Sequence, residues 1–144
     1  SKMQNDTLVV INPTLDNLLD ADIYKLDYED DTYFVPLWHD EVTYDIADRS
    51  LIVKCVPDLP DHMSIDDWNT LHVSVSTSIE KAMLNQKIAV PVGGKVFEIR
   101  SSDLKVTTVQ THILRKKGIP IIDTSDVFDC SRKGDIVIHI GFNK

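Results

Sequence analysis

Cysteine is scarce in this 144-residue chain, which has only Cys55 and Cys130 and no Cys-x-x-Cys pair. Two cysteines cannot supply the ligands of a cysteine-rich zinc module, so a site of that kind is excluded. We expect each cysteine to be a small residue in or beside a strand, in a protein of a reducing compartment.

Long apolar runs and enzyme signatures are missing as well. No stretch approaches the roughly 20 apolar residues that span a bilayer, and no basic segment followed by an apolar one opens the chain. The sequence has no glycine-rich phosphate loop, no Gly-x-Ser-x-Gly elbow and no Cys-His nucleophile pattern. These absences favour a soluble, cytoplasmic protein that is not an enzyme, needs no cofactor and has no membrane partner.

Basic residues are scarce in the first half of the chain. Residues 1–69 contain 16 acidic and 4 basic residues, whereas residues 70–144 contain 7 acidic and 11 basic residues. The two halves therefore have net charges of −12 and +4, which together give the total of −8. An acidic lobe repels the phosphates of nucleic acids, so we expect no nucleic-acid partner.

A short unit occurs twice, at residues 14–19 and at residues 78–84. Each copy begins with a hydroxyl residue, an aliphatic residue and an acid, follows an apolar stretch and precedes an alternating one. A repeated strand, helix and hairpin explains this pattern. The sequence thus predicts a mainly β fold of two tandem, homologous, β-sandwich-like lobes, residues 1–66 and 67–144, each with one short helix.

The caps and turns of both units are also predicted. Thr14 and Ser78 are suited to accept hydrogen bonds from the free amides at the start of a helix. The glycines at residues 93–94 predict a two-residue hairpin turn, and an acidic turn is expected at residues 29–31. The second helix is expected to end near Asn85. The expected strands lie at residues 8–11, 23–28, 32–37, 51–56, 71–75, 88–92, 96–99, 106–114 and 136–140.

Several segments of the second half match the motifs of one protein family in order and spacing. They are Thr70-Leu71, residues 72–77, Ser78-Ile79-Glu80-Lys81-Ala82-Met83-Leu84-Asn85, residues 88–92, Gly93-Gly94, residues 96–99, Lys116-Lys117-Gly118-Ile119-Pro120 and Lys133-Gly134-Asp135-Ile136-Val137. Together they resemble the C-terminal client-binding region of DnaJ-type co-chaperones of the heat shock family. The first half looks like the preceding homologous lobe in a shortened form, so the resemblance covers essentially the whole chain.

The resemblance implies a function in binding unfolded polypeptides. In that family an extended client segment lies beside an edge strand of the first lobe and places its large side chains in an apolar groove. Alignment on the repeat carries five apolar or aromatic groove positions onto Val9, Ile11, Leu26, Tyr28 and Val53. Without the resemblance, the same residues are candidates for the core of a sandwich.

The resemblance also implies partners, and the sequence departs from the family in several places. Clients would pass to the seventy-kilodalton heat shock chaperone through a J domain, but the His-Pro-Asp triplet of that domain does not occur in this sequence. Some members hold the acidic tail of that chaperone with basic residues, where this chain has Tyr24, Asp27 and Asp30. These carboxylates would repel the tail. Relatives continue into a dimerising helix, so a homodimer is expected only of a longer chain.

Two further features indicate which class of DnaJ proteins the chain resembles. The lack of a cysteine-rich module is similar to the zinc-free class of DnaJ proteins. The shortened first lobe, with its sequence at residues 35–41, looks closer to divergent DnaJ-like proteins of large DNA viruses. A viral protein of this kind would act in the host cytoplasm.

Two other functions stay open. A scaffold of the same fold would bind one fixed partner through the acidic first lobe, with an affinity that falls steeply as salt rises. A hydrolase or metal site would use the imidazole and carboxylates of residues 39–41, with His62 and Asp61, or Asp66 and Asp67, as further partners. Consecutive side chains diverge in a strand or tight turn, however, so a solvated acidic turn is the simpler interpretation. Trp38 and Trp68 are expected to pack at lobe edges, and recognition of a partner at the surface is the alternative for either.

Overall fold

The computed structural model describes residues 6–143 of the chain and shows a mainly β protein. The elements are, in chain order, β1 (Thr7–Ile11), α1 (Leu15–Leu19), β2 (Ile23–Tyr28), β3 (Asp31–Pro36), β4 (Glu41–Ile46), β5 (Arg49–Cys55), β6 (Met63–Ile65), β7 (Leu71–Ser78), α2 (Ile79–Asn85), β8 (Lys87–Val92), β9 (Lys95–Arg100), a 3-10 turn (Ser101–Asp103), β10 (Val109–Leu114) and β11 (Ile136–Asn143). Neither helix is long and apolar enough to cross a membrane.

The strands form two larger sheets and two hairpins. The strand order is β1-β5-β4 in the first sheet and β10-β11-β7-β6 in the second. β5 pairs in parallel with β1 and antiparallel with β4, and β11 pairs in the same way with β7 and β10. The hairpins are β2–β3 and β8–β9. In each sheet the strand that comes last in the sequence, β5 or β11, thus lies between two earlier strands.

The repeat predicted from the sequence is present as two copies of one arrangement. The first strand, the helix and the two hairpin strands begin at residues 7, 15, 23 and 31 in the first unit and at residues 71, 79, 87 and 95 in the second. The offset is 64 residues in every case. The predicted fold class, two tandem β lobes with one short helix each, is thus confirmed. The boundary between residues 66 and 67 stays a prediction; β6 lies before it but pairs with β7.

Both helices begin at the expected hydroxyl residues. Thr14 Oγ1 accepts the backbone N–H of Asn17 at 3.2 Å, and the Asn17 side chain accepts the N–H of Thr14 at 2.9 Å, which completes a capping box. Ser78 Oγ accepts a backbone N–H of α2 at 3.0 Å. The left-handed residue after α2 is Gln86, with φ of 60°, one position beyond the expected Asn85.

Three features of the strand pattern differ from the sequence prediction. β4 and β6 have no counterpart in it, although the alternating burial of β4 is that of a strand with one packed face. β10 begins at Val109 and not at residue 106. Val106 is 79% exposed, so its apolar character does not indicate a strand here.

The first hairpin packs over the first sheet. The Tyr44 hydroxyl on β4 donates to the carbonyl of Phe34 on β3, and the rings of Tyr33 and Tyr44 lie 5.2 Å apart. The hydroxyl groups of Thr7 on β1 and Tyr28 on β2 are 3.0 Å apart.

A buried cluster extends through both units. Its largest fully buried side chains are Leu18, Val35, Leu51, Val53, Leu71, Val73, Val90, Ile99, Ile119, Ile136, Ile138 and Ile140.

Hydrogen bonds from turns join the two units. Asn69 is buried, has φ of 58°, and donates its side-chain amide to the carbonyls of Trp38 at 2.8 Å and Pro120 at 3.0 Å. The turn of the second hairpin reaches α1, where the N–H of Gly94 donates to Asp16 Oδ1 at 2.8 Å.

Candidate functional site

Four strand edges of the first unit have no hydrogen-bonding neighbour among residues 6–143, and those of β1 and β2 are two of them. β1 pairs only with β5, and β2 pairs only with β3. The contact between Thr7 and Tyr28 brings β1 and β2 together. An unpaired edge offers a row of backbone N–H and C=O groups to an added strand. The edges of β1 and β2 are therefore the candidate site.

Four of the five residues predicted to line a groove are half-buried and pack against the core. They are Val9 and Ile11 on β1 and Leu26 and Tyr28 on β2, and we call these four side chains the groove. The fifth, Val53, is fully buried on β5, where it is the register partner of Val9. Val53 lies beside Val9 on the adjacent strand and is fully covered, so the prediction that it lines the groove is wrong.

The corresponding positions of the second unit are almost closed. The offset of 64 residues carries the groove onto four valines, Val73, Val75, Val90 and Val92. Three of them have at most 1% of their surface exposed, and only Val75 is half-buried. Of the two units, the first is thus the one in which all four positions are partly accessible.

Further apolar side chains are exposed on the strands of the groove. Leu8 and Val10 alternate with the groove residues of β1 and are 42% and 53% exposed, so they lie on its other face. Ile23 and Tyr24 on β2 are 49% and 45% exposed. The sequence prediction missed Leu8, Val10 and Ile23. The unbroken apolar run at residues 8–11 was the available signal, because such a run is typical of a strand that is apolar on both faces.

The surface beside the groove is acidic. β2 leads into the exposed turn Glu29–Asp30. The guanidinium of Arg49 binds the Glu29 carboxylate, and this hydrogen bond and the charge of Glu29 raise the pKa of Arg49. Tyr24, Asp27 and Asp30, which the sequence resemblance aligns with basic positions of some DnaJ proteins, are all exposed. This surface favours basic over acidic ligands.

A cavity of about 320 Å³ lies between the units and is lined by Trp38 and His39, among others. His39 is 3% exposed, and burial lowers the pKa of its imidazole despite the opposing effects of a hydrogen bond to the Val127 backbone and of nearby carboxylates. Trp38 Nε1 and His39 Nε2 are buried without a partner in the described part of the chain. The interpretation as a solvated turn is thus wrong for His39, although Asp40 and Glu41 are exposed.

The structure tests the expected metal ligands and the expected packing of the two tryptophans. Within residues 6–143 no three His, Cys, Asp or Glu side chains are grouped in a way that could hold a metal ion. Trp38 is 3% exposed and packs as expected. Trp68 is 75% exposed, so its interpretation as a packing residue is wrong.

A chain of three hydrogen-bonded side chains lies on the second sheet, and the sequence prediction missed it. Asp66 Oδ2 is 3.0 Å from His72 Nε2, and His72 Nδ1 is 2.9 Å from His139 Nε2. The ring centroids are 5.2 Å apart, and the ring planes differ by 20°. With both imidazoles neutral, Asp66 accepts from His72 Nε2, and His72 Nδ1 accepts from His139.

Comparison of the sequence with known protein families gives no match, and comparison with curated proteins gives none either.

Proposed function

We propose that the chain is a non-enzymatic, client-binding part of a DnaJ-type co-chaperone. The groove would bind extended, apolar segments of unfolded polypeptides. The observation that carries this proposal is the contrast between the units: the half-buried groove lies on two unpaired strand edges, and its counterpart in the second unit is almost closed.

The physical basis of binding would be the addition of a strand. Backbone groups of the client would pair with an edge of β1 or β2, which requires no particular client sequence. Burial of one large aliphatic client side chain contributes about 1.5–3 kcal/mol before the cost of ordering the segment. A few such side chains give reversible binding, as a protein that passes clients onward requires.

The wider role follows from the motif resemblance. Clients would be handed to a seventy-kilodalton heat shock chaperone through a J domain on another part of the protein, in the cytoplasm or, for a viral protein, the host cytoplasm. The acidic surface at Asp27 and Asp30 argues against a direct contact with an acidic tail of that chaperone.

Fluorescence anisotropy with a labelled, extended peptide rich in leucine and phenylalanine tests the proposal. Ile11→Asp and Leu26→Asp should each weaken binding at least tenfold, which corresponds to about 1.4 kcal/mol. Val75→Asp is the matched control, because Val75 is the half-buried counterpart of Ile11 in the second unit. Circular dichroism identifies variants that remain folded. Equal peptide affinity of the folded groove variants and the wild type would contradict the proposal.

The second candidate function is a scaffold that binds one basic partner through the acidic surface of the first unit. The exposed carboxylates of Asp27, Asp30 and Asp31 favour it. A rise in salt from about 0.1 M to about 1 M shortens the screening length from about 10 Å to about 3 Å. A ligand that loses affinity over this range would be bound by the acidic surface, which would indicate the scaffold. A ligand whose affinity is unchanged or rises would be bound by the apolar groove.

A further inference from the structure

The cavity of about 320 Å³ between the two units is large enough for a small organic molecule. Apolar residues from both units line it, among them Leu18, Leu37, Ile65 and Ile122. None of the four groove residues is part of its wall. A molecule bound in this cavity would therefore serve a function beyond client binding.

The charged residues that line the cavity all have the same sign. They are Asp40, Asp66 and Asp67, and none of the described lining residues is a lysine or an arginine. Asp66 is bound to His72, but neither Asp40 nor Asp67 belongs to an ion pair among residues 6–143. Asp40 and Asp67 are both exposed, so they mark the open side of the cavity and favour a cation there.

The buried part of the cavity wall has two polar residues with an unpartnered ring nitrogen. Trp38 and His39 both line the cavity, and each is 3% exposed. Trp38 Nε1 and His39 Nε2 have no hydrogen-bond partner in the part of the chain that the structure describes. A buried polar group without a partner destabilises the protein, so a ligand that pairs with it gains affinity.

The two ring nitrogens differ in what they can bind. The indole N–H of Trp38 is a donor only. The hydrogen bond between His39 and the Val127 backbone raises the pKa of the imidazole, so the ring donates to the carbonyl, while the larger effect of burial keeps the ring neutral at pH about 7. Because Nε2 has no partner, Nδ1 is the donor and Nε2 is an acceptor. A hydroxyl group both donates and accepts, so it can pair with either ring.

We propose that the cavity is a binding site for a small organic ammonium ion whose apolar body carries a hydroxyl group. The ammonium group would lie beside Asp40 and Asp67 on the open side, and the hydroxyl group would pair with the ring nitrogens of Trp38 and His39. The apolar body would contact the aliphatic side chains between them. A lysine side chain of a partner polypeptide has the ammonium group and the apolar stem but no hydroxyl, so it would leave both ring nitrogens unpaired.

Tyramine is a suitable probe, because its phenol and its ammonium group stand at opposite ends of an apolar body. The chain has two tryptophans, so the indole N–H signal of Trp38 can be followed by proton–nitrogen correlation NMR and assigned with Trp68→Phe. Tyramine should shift this signal saturably, with a Kd of about 1 mM or lower. Phenethylamine lacks the hydroxyl and para-ethylphenol lacks the ammonium group, so each should bind at least about fivefold more weakly.

Variants at the open side of the cavity test the charge recognition without changing the core. Asp40→Asn combined with Asp67→Asn should weaken tyramine binding at least about fivefold and leave para-ethylphenol binding unchanged, because only the ammonium group meets these residues. Asp45→Asn is the matched control, since Asp45 is exposed and does not line the cavity. His39→Phe should weaken the binding of both phenols.

Three results would overturn the proposal. The first is the absence of a saturable shift of the Trp38 signal at up to about 10 mM tyramine. The second is equal affinity for tyramine, phenethylamine and para-ethylphenol, which would show that the cavity binds apolar molecules without regard to their polar groups. The third is a tyramine affinity that the combined Asp40→Asn and Asp67→Asn variant does not change.

Discussion

The side-chain amide of Asn69 lies 2.8 Å from the carbonyl oxygen of Trp38, which is 31 residues earlier in the chain and belongs to the other unit. The same amide reaches the carbonyl of Pro120 at 3.0 Å. One buried residue in the left-handed region thus satisfies acceptors from both sides of the junction. Asparagine suits this place because it tolerates positive φ better than other residues with side-chain donors.

Asn69→Ala should reduce the free energy of unfolding by about 2–3 kcal/mol, because two carbonyls lose a buried donor and alanine is strained at positive φ. Asn69→Gly is the matched variant: it removes the donor and keeps the backbone unstrained. Urea denaturation should give a smaller loss for Asn69→Gly than for Asn69→Ala. Equal stability of Asn69→Ala and the wild type would show that the amide does not stabilise the junction.

The buried His39 should make stability fall in mildly acidic solution. Burial lowers the pKa of His39 in the folded state below its ordinary value of about 6.5, so the unfolded chain takes up a proton that the folded chain resists. The stabilising effect of neutral His39 is present at high pH and is lost as the pH falls below about 6.5. Urea denaturation at pH 7.5 and 5.5 should show this loss in the wild type and a reduced loss in His39→Phe.

Asp66 should stabilise the folded chain at pH values above the ordinary pKa of its carboxyl group. Desolvation raises the pKa of Asp66, but hydrogen bonds from His72 and from the backbone N–H groups of Thr70 and Trp68 lower it more, so the folded pKa lies below the ordinary value of about 3.9. The contribution is present at neutral pH and lost as the pH falls through the folded pKa. Asp66→Ala should cost about 1 kcal/mol at pH 7, since the group is partly exposed, and the difference should shrink as the pH falls through the folded pKa of Asp66.

The two cysteines should differ in reactivity. Cys55 is buried, and desolvation together with the charge of Asp40 raises the pKa of its thiol to about 11. Cys130 is exposed. Because the thiolate is the reactive form, a disulfide reagent at pH 8 should modify Cys130 rapidly and Cys55 only after unfolding. Cys130→Ser should remove the fast phase, and a fast phase that persists in this variant would contradict the assignment.

Much of the fold was predictable because its signals are local. The capping residues Thr14 and Ser78, and the turns at residues 29–30 and 93–94, each depend on neighbours within a few positions. Their equal spacing in the two halves then gave the tandem architecture. β4 was missed because its alternation is short and begins with an acidic residue.

The candidate site was predictable only in part because periodicity gives the face of a residue and not its depth. Val9 and Val53 belong to adjacent strands and are paired in register, yet one is half-buried and the other fully buried. Strand order decides this difference, since β5 has neighbours on both edges and β1 on one. The contact of His72 with His139 likewise depends on the parallel pairing of β7 with β11, which spans 67 positions.

The placement of β11 between β10 and β7 has a consequence for the order of events during synthesis. The partners of β11 in its sheet are made first, and β7 is complete long before residues 136–143 leave the ribosome. The first sheet has all its strands once residue 55 is available, so it can form early from contacts of modest sequence separation. Until β11 arrives, two strand edges of the second unit wait without a partner. A nascent chain of this protein would therefore itself be a client of the kind that its folded first unit is proposed to bind.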